Sequence, residues 1–261
     1  MKVGFIGIGN MGGSILKGYA KSTVGTGNQI LIHDATTENN LAMAESIAES
    51  GYTNKDLVIC NDNKELAEQA DIIIIGVKPG AVGSVLKDIA PAAGKTIVSM
   101  AAGVSIAKIE AALNDAVEGS GDAAKIIRIM PNLPARVGAA MTSMSRNANV
   151  DDDAFALAKT IFDSVGRAEE VPEDMIDCVI GVSGSSPAYT YMYIEALAKA
   201  AEANGMEKRQ GQSVRMPGCD RRCENGPREQ GISGAAPHQC LLAWRHHHRS
   251  SQEAAGKWIY G

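Results

Sequence analysis

The sequence has no long hydrophobic run, few aromatic residues, few cysteines and no excess of positive charge. The apolar run Ile72–Val77, which includes one glycine, has six residues, whereas a membrane-spanning helix needs roughly 20. The five cysteines are odd in number and scattered, which gives no sign of a disulfide framework. The net charge of −5 predicts no nucleic-acid partner. The first residues are too glycine-rich for a signal-peptide core, so we expect a cytoplasmic protein with no membrane partner.

The composition changes near Lys208. Residues 1–208 carry a net charge of −9, whereas residues 209–261 carry +4. Seven of the arginines, both tryptophans, four of the five histidines and three of the five cysteines lie in residues 209–261. We therefore expect this last segment to differ in kind from the rest of the chain.

Strands and helices alternate through the first part of the chain. The strands predicted from apolar runs are Lys2–Ile6, Gln29–His33, Asp71–Val77, Thr96–Met100 and Ile126–Met130. Helical spacing of apolar residues fills most of the intervals between them. The isoleucine run after Asp71 is typical of a central parallel strand that is buried on both faces. Together these patterns predict an α/β fold with right-handed crossovers and a Rossmann-type doubly wound sheet.

A glycine-rich turn follows the first predicted strand and opens a helix. Its spacing is Gly7-x-Gly9-x-x-Gly12, which in this context indicates a dinucleotide-binding fingerprint. Gly7 permits the tight turn, Gly9 lets the backbone approach a pyrophosphate, and Gly12 lets the helix pack close to the strand. The alternative is a plain strand–helix turn, and nucleotide binding is the better interpretation.

The end of the second strand bears on the choice between NADH and NADPH. Asp34 follows that strand, where a carboxylate would bind a ribose 2′-hydroxyl and repel a 2′-phosphate. Thr36 and Thr37 could instead hydrogen-bond a phosphate. Asp34 could equally be a helix N-cap or a turn residue. The cofactor is therefore predicted as NADPH or NADH, without a choice between them.

Five stretches of the sequence resemble the pyrroline-5-carboxylate reductase family. They are Val3-Gly4-Phe5-Ile6-Gly7-Ile8-Gly9-Asn10-Met11-Gly12, Gly76-Val77-Lys78-Pro79, Ala101-Ala102-Gly103-Val104, Arg128-Ile129-Met130-Pro131-Asn132 and Gly181-Val182-Ser183-Gly184-Ser185-Ser186-Pro187-Ala188-Tyr189. The resemblance covers residues 1–208. It implies reduction of the cyclic imine 1-pyrroline-5-carboxylate to L-proline in proline biosynthesis. It also implies a helical second domain that forms a homodimer or a higher oligomer.

The fingerprint and the resemblance together give the expected cofactor-binding residues. They are Ile6, Gly7, Ile8, Gly9, Asn10, Met11, Gly12, Asp34, Thr36, Asn63, Gly76, Val77, Lys78, Pro79, Ala101, Ala102 and Gly103. Three of the residues singled out here also have a purely structural interpretation. Lys78 could be a solvated charge at a strand end, Asn63 could cap the helix Lys64–Gln69, and Asn132 could merely fix its loop.

The substrate side is expected in Ser183, Gly184, Ser185, Ser186 and Asn132. The serine-rich stretch is predicted as a loop that brings Pro187 into the first turn of a helix, with Ser186 as N-cap. Amides at the start of that helix suit a substrate carboxylate. The apolar residues that follow with helical spacing predict a dimer or bundle core.

Three domains are predicted: a dinucleotide-binding domain over residues 1–171, the truncated start of a helical dimerisation domain over 172–208, and an aberrant tail over 209–261. The resemblance implies the string Ser-Pro-Gly-Gly-Thr-Thr-Ile-Glu, which is missing from the sequence. Permitted codons for Leu242–Gln252 nevertheless encode Ser-Pro-Gly-Gly-Thr-Thr-Ile-Glu-Ala-Val when they are read one base later. We therefore predict a frameshift near Lys208. The threonine hydroxyl that would lie nearest the imine nitrogen is then lost, no catalytic residue is assigned, and activity is expected to be poor or absent.

Zinc binding is the alternative explanation for the composition of the tail. Cys219, Cys223, Cys240, His246 and His248 are suitable ligand types, but their spacing matches no standard zinc finger, and we predict no metal site. Two other functions remain open. One is a dinucleotide-binding remnant without catalysis, and the other is a dehydrogenase of similar architecture, for which Lys199 lacks the expected glycine-rich context.

Overall fold

A computed structural model describes residues 1–49, 51–52, 56–92 and 94–206. The chain divides into two compact units, Met1–Val179 and Ile180–Gly261. The described residues end at 206, so the predicted tail over 209–261 lies outside them. The proposed frameshift and the cysteines and histidines considered as zinc ligands lie outside them as well.

The first unit alternates strands with helices. Its strands are β1 (Lys2–Ile6), β2 (Gln29–His33), β3 (Leu57–Ile59), β4 (Ile72–Ile75), β5 (Thr96–Ser99), β6 (Lys125–Met130), β7 (Ala140–Arg146) and β8 (Gly166–Glu170). Its helices are α1 (Asn10–Lys21), α2 (Thr37–Glu49), α3 (Asn63–Gln69), α4 (Pro79–Ile89), α5 (Ile106–Ala116), α6 (Ser120–Ala123), α7 (Asp152–Asp163) and α8 (Ile176–Val179). Short 3₁₀ turns join several of these elements.

The strands form one sheet in the order β3-β2-β1-β4-β5-β6-β7-β8. Neighbours from β3 through β6 are parallel, whereas β7 runs antiparallel to β6 and parallel to β8. Because β1 lies between β2 and β4, the connections diverge at β1, as they do in a doubly wound sheet. The predicted Rossmann-type α/β fold is confirmed.

Helices cover both faces of the sheet, and the residues of β4 demonstrate this. Ile72 and Ile74 lie in the core on one face, and Ile73 and Ile75 lie in the core on the other. All four are buried, as the continuous isoleucine run predicts for a central strand. The carboxyl ends of β1, β4, β5 and β6 are thereby held at one edge of the sheet.

Among the described residues, no helix is both long and apolar enough to cross a membrane.

The second unit, over its described residues, contains a π-helical turn (Ile180–Gly184) followed by α9 (Ser186–Ala203). The predicted N-cap at Ser186 is wrong by one position. Ser185 is the N-cap, and Ser186 is the first helical residue, with Pro187 in the first turn. The Ser186 hydroxyl donates backwards to the Ser183 carbonyl at 3.2 Å, so it stabilises the preceding turn rather than the helix amides.

Candidate active site

The strand order places the switch point of the sheet between β1 and β4, and the space outside the carboxyl ends of these two strands is called the crevice below. In doubly wound sheets, ligands bind outside the carboxyl ends of the strands where the connections diverge. β1 ends at Ile6 and leads into the glycine-rich loop, while β4 ends at Ile75 and leads into Gly76. The Gly76 amide donates to the Ile6 carbonyl at 2.7 Å, which holds the two strand ends together.

The glycine-rich loop depends on close backbone approach at three glycines. Gly7 has a φ of +83°, a conformation that residues with a side chain rarely adopt. A Cβ on Gly12 would lie 2.3 Å from the Gly7 carbonyl oxygen, and a Cβ on Gly76 would lie 2.4 Å from the same oxygen. Gly12 and Gly76 are therefore required for packing around Gly7.

Gly9 differs from these glycines because its missing side chain leaves open space. A Cβ at this position would meet nothing within 4 Å, and Gly9 and Asn10 are exposed. Gly9 is the N-cap of α1, and among the described contacts no side chain caps the amides of its first turn. An exposed helix start with uncapped amides and an open approach fits the pyrophosphate of a dinucleotide. The loop thus fits the cofactor that the fingerprint predicts.

Asp34 fixes the glycine-rich loop to the end of β2. One carboxylate oxygen accepts from the Ile8 amide at 2.9 Å, and the other accepts from the Thr36 amide and the Asn39 side chain, each at 3.0 Å. Partial burial by itself raises the pKa of Asp34, but these hydrogen bonds together outweigh it and hold the pKa below its ordinary value. Asp34 is therefore a charged turn residue at neutral pH, and it stands at the edge of the crevice.

Asn63 does not cap the helix as the alternative interpretation supposed. Asp62 is the N-cap of α3, where its carboxylate accepts from the Glu65 amide at 2.7 Å. Asn63 is the first helical residue, and its side-chain amide donates to Asp88 at 2.8 Å. Its side-chain oxygen is buried and lacks a hydrogen-bond partner among the described residues.

The segment after β4 forms the N-terminus of α4. Lys78 is the exposed N-cap and Pro79 is the first residue of the helix, where a proline costs no backbone hydrogen bond. Val77 is half-buried and packs against the core. The Lys78 ammonium is thus free to reach solvent or a ligand at the edge of the crevice.

The loop after β5 presents mainly backbone. Ala101 is buried, Ala102 is half-buried, and Gly103 is exposed with a φ of +75°. The Val104 amide donates to the Ala101 carbonyl at 3.3 Å, which closes a tight turn. With such small side chains, a planar ring could pack directly on this turn.

Asn132 fixes its own loop. Its side-chain oxygen accepts from the Met141 amide at 2.9 Å, its carbonyl accepts from the Ala135 amide at 3.1 Å, and the residue is buried. The structure therefore places Asn132 as the link between the end of β6 and β7. The other predicted substrate residues, Ser183–Ser186, lie in the second unit and are half-buried there.

Sequence reasoning missed an ion pair beside this edge of the sheet. Arg128 on β6 donates to Glu173 at 3.1 Å, and the arginine side chain is 8% exposed. No local pattern indicates this pair, because 45 positions separate its members. A buried arginine within an apolar strand was the one available signal.

The sequence comparisons agree with this geometry. Residues 2–103 match the family model described as NADP oxidoreductase, coenzyme F420-dependent, and residues 173–216 match the one described as pyrroline-5-carboxylate reductase dimerisation. The chain is 40% identical over 211 residues to the pyrroline-5-carboxylate reductase of Escherichia coli K12, which covers 80% of this chain and 73% of that protein. The enzyme of Methanosarcina acetivorans is 32% identical over 210 residues, covering 80% and 72% respectively.

Solved structures lead to the same family. The pyrroline-5-carboxylate reductase of Coxiella burnetii matches with a TM-score of 0.71 at 26% identity, covering 95% of this chain and 92% of that one. The Plasmodium falciparum enzyme, solved with NADP bound, matches with a TM-score of 0.67 at 25% identity, covering 98% and 92%. From its sequence, its sheet topology and its glycine-rich crevice, this chain belongs to the pyrroline-5-carboxylate reductase family of NAD(P)H-dependent oxidoreductases.

Proposed function

We propose that the chain reduces 1-pyrroline-5-carboxylate to L-proline with NADPH or NADH, as part of proline biosynthesis in the cytoplasm. The observation that carries this proposal is the glycine-rich loop, with the open approach at Gly9 and the uncapped start of α1. This loop belongs to a chain that is 40% identical to a reductase of that name.

In this reaction the cofactor would supply the hydride, and the chain would bind and position the cofactor. The reduced nicotinamide supplies the hydride that the imine carbon accepts. The amides at the start of α1 bind the pyrophosphate, because the helix dipole favours a negative charge there. Ile6, Ile8 and Met11 flank these amides, and Asp34 faces the ribose beside the adenine.

The nicotinamide half would follow the other side of the crevice. Val77, Lys78 and Pro79 border it after β4, and the small turn Ala101–Gly103 supports it after β5. Asn63 and Thr36 would complete the adenosine side. On the substrate side we propose Ser183–Ser186 and Asn132, the serines because the dipole of α9 favours the negative charge of the imine's carboxylate near the helix start.

The second unit offers a surface for pairing with a second copy of the chain. Tyr189, Met192, Tyr193 and Leu197 are each about half exposed on α9, and residues 173–216 match the dimerisation model of the family. An apolar stripe of this size on one helix favours association. We therefore propose a homodimer that buries this stripe.

A non-catalytic dinucleotide-binding remnant is the second candidate. The specific observation in its favour is that the string Ser-Pro-Gly-Gly-Thr-Thr-Ile-Glu is missing from the sequence. A dehydrogenase that uses Lys199 as a catalytic base is disfavoured, because the Lys199 ammonium pairs with Glu195 at 2.7 Å on the exposed surface of α9.

Titration with NADH and NADPH tests the cofactor site directly. Gly9→Val should abolish binding, because the new side chain occupies the space that the pyrophosphate needs. The fold should be unaffected, since nothing lies within 4 Å of the added Cβ. Gly83→Val is the matched control, because Gly83 also has open space but lies on the exposed side of α4. Equal affinities for the unmodified chain and Gly9→Val would refute the assignment, and L-proline formation from the imine separates the reductase from the remnant.

A further inference from the structure

One carboxylate oxygen joins two segments at the carboxyl edge of the sheet. Glu173 Oε1 accepts a hydrogen bond from the Ile106 amide at 2.8 Å and another from Arg128 Nη1 at 3.1 Å. Ile106 is the first residue of α5, whereas Arg128 lies on β6. Glu173 comes 67 and 45 positions later in the chain. It therefore connects elements that the sequence does not connect.

The bond to Ile106 fixes the start of α5. Ser105 is the N-cap, and its hydroxyl accepts from the Lys108 amide at 3.3 Å. Ser105 leaves the Ile106 amide to be satisfied elsewhere, and Glu173 does so with a charged acceptor, which makes a stronger bond than a neutral one. The turn Ala101–Gly103 lies only a few residues earlier. Its Gly103 carbonyl accepts from the Lys108 side chain at 3.2 Å, so the turn and the helix start are held as one piece.

The bond to Arg128 fixes Glu173 in turn. The arginine side chain is 8% exposed and that of Glu173 is 32% exposed. A buried guanidinium requires a partner for its charge, so the carboxylate has little freedom to move away. Because β6 is a central strand, its position is set by the whole sheet. Glu173 therefore links the start of α5, and the turn that precedes it, to β6.

This arrangement lies on the nicotinamide side of the crevice. The ends of β5 and β6 are on the opposite side of β1 from Asp34 and β2. The ion pair borders a shallow cavity of about 390 Å³ that is lined by Gly103, Ser105, Arg128, Glu173, Asp174 and Asp177. The cavity thus reaches from Glu173 to the turn on which the nicotinamide would pack.

We propose that Glu173 is a positioning residue that sets the backbone turn Ala101–Gly103 for the nicotinamide end of the cofactor. The proposal rests on the proposed function, because it takes the turn as the nicotinamide support. Glu173 does not touch the reacting atoms. It acts through the Ile106 amide, and Arg128 holds it in place.

The test compares two ligands that differ only in the nicotinamide. Full-length chain is titrated with NADH and with ADP-ribose, which lacks that ring, or with NADPH and 2′-phospho-ADP-ribose if the phosphorylated cofactor binds better. Glu173→Ala should weaken dinucleotide binding by about tenfold, the effect of one lost charged hydrogen bond. Its affinity for ADP-ribose should stay within about twofold. Glu173→Gln retains an acceptor oxygen and should give an intermediate loss.

Asp174→Asn is the matched control, because Asp174 lines the same cavity and makes neither of the two bonds. It should leave both affinities unchanged. If Glu173→Ala does not fold, the ratio of the two affinities in Glu173→Gln decides the question. An equal loss for both ligands, or no loss for the dinucleotide, would overturn the positioning role. An unmodified chain that binds neither ligand would instead overturn the proposed function.

Discussion

At the scale of single residues, Asp34 connects the glycine-rich loop with cofactor choice. Its carboxylate accepts three hydrogen bonds and stays charged at neutral pH. From Asp34 to Asn40 the sequence contains no lysine or arginine to attract a phosphate. A 2′-phosphate beside this charge would be repelled. We therefore expect NADH to bind at least as well as NADPH.

Replacing Asp34 tests this expectation. Asp34→Ser should shift the preference towards NADPH by roughly tenfold, because a repulsion of about 1.4 kcal/mol is relieved. Asp34→Asn, which keeps the size and one acceptor oxygen, should shift the preference in the same direction with a smaller loss of stability. The measurement is the ratio of NADPH to NADH dissociation constants. An unchanged ratio in both variants would mean that the carboxylate does not face the ribose.

The raised pKa of the Cys60 thiol predicts a loss of stability at alkaline pH. The thiol is 2% exposed, and burial, together with the nearby charges of Glu65 and Asp62, raises its pKa to about 11 from 9.0. Between these values the unfolded chain has lost the thiol proton and the native chain has kept it. The free energy of unfolding should therefore fall by about 1 to 3 kcal/mol as the pH rises from 9 to 11.

Urea unfolding of the native chain and of Cys60→Ala checks this prediction. Other groups titrate in the same range, so the informative quantity is the difference in pH dependence between the two proteins. The alanine variant should lose less stability over this interval. Identical slopes would show that the thiol does not remain protonated in the native state.

At the scale of elements, the first turn of α1 lies closest to the ends of β1 and β4 at Gly12. Gly12→Ala would place a Cβ 2.3 Å from the Gly7 carbonyl, so α1 must move away from the strand. We expect the free energy of unfolding to fall by about 1 to 3 kcal/mol, with weaker dinucleotide binding. Urea titration measures the first effect. Gly83→Ala on the exposed side of α4 is the control and should be neutral or slightly stabilising.

Equal stabilities for Gly12→Ala and Gly83→Ala would contradict the packing argument. The helix would then have room to accept a methyl group against the loop.

The sequence predicted the buried parallel strands better than the edge of the sheet. β1, β2, β4, β5 and β6 follow from apolar runs that the core requires on both faces. β7 was not predicted, because Thr142, Ser143 and Ser145 are polar although they are buried. β8 was not predicted because its residues are mostly charged, as is usual at the edge of a sheet.

In the candidate site, too, features set by local sequence were predictable and features set by long-range contacts were not. The glycine-rich loop is predictable because its spacing and conformation are local. The link through Glu173 is not, since its partners Ile106 and Arg128 lie 67 and 45 positions earlier in the chain. The role of Gly76 in packing on Gly7 was likewise hidden, because 69 positions separate them and only the parallel pairing of β1 with β4 brings them together.

At the scale of the whole molecule, the similarity to the family ends before the chain does, since the dimerisation model matches through residue 216 and the Escherichia coli relative aligns over 211 residues. All of the proposed cofactor-binding residues lie within Met1–Val179. The apolar stripe on α9 is about half exposed over the described residues. We predict that the shifted frame would encode the helices that cover this stripe and the threonines that meet the imine nitrogen. Dinucleotide binding should therefore be independent of the tail, whereas pairing and turnover should depend on it.

The most direct measurement is the rate of L-proline formation from 1-pyrroline-5-carboxylate and NAD(P)H by two proteins. One is the 261-residue chain, and the other is a variant whose coding sequence is read one base later from codon 209 onward. We predict that both proteins bind the dinucleotide with similar affinity. The variant should also gain a stable oligomer and at least a tenfold higher rate, the effect of about 1.4 kcal/mol or more in barrier height. Equal rates and equal oligomeric states would contradict this prediction, because the present tail would then form a working domain.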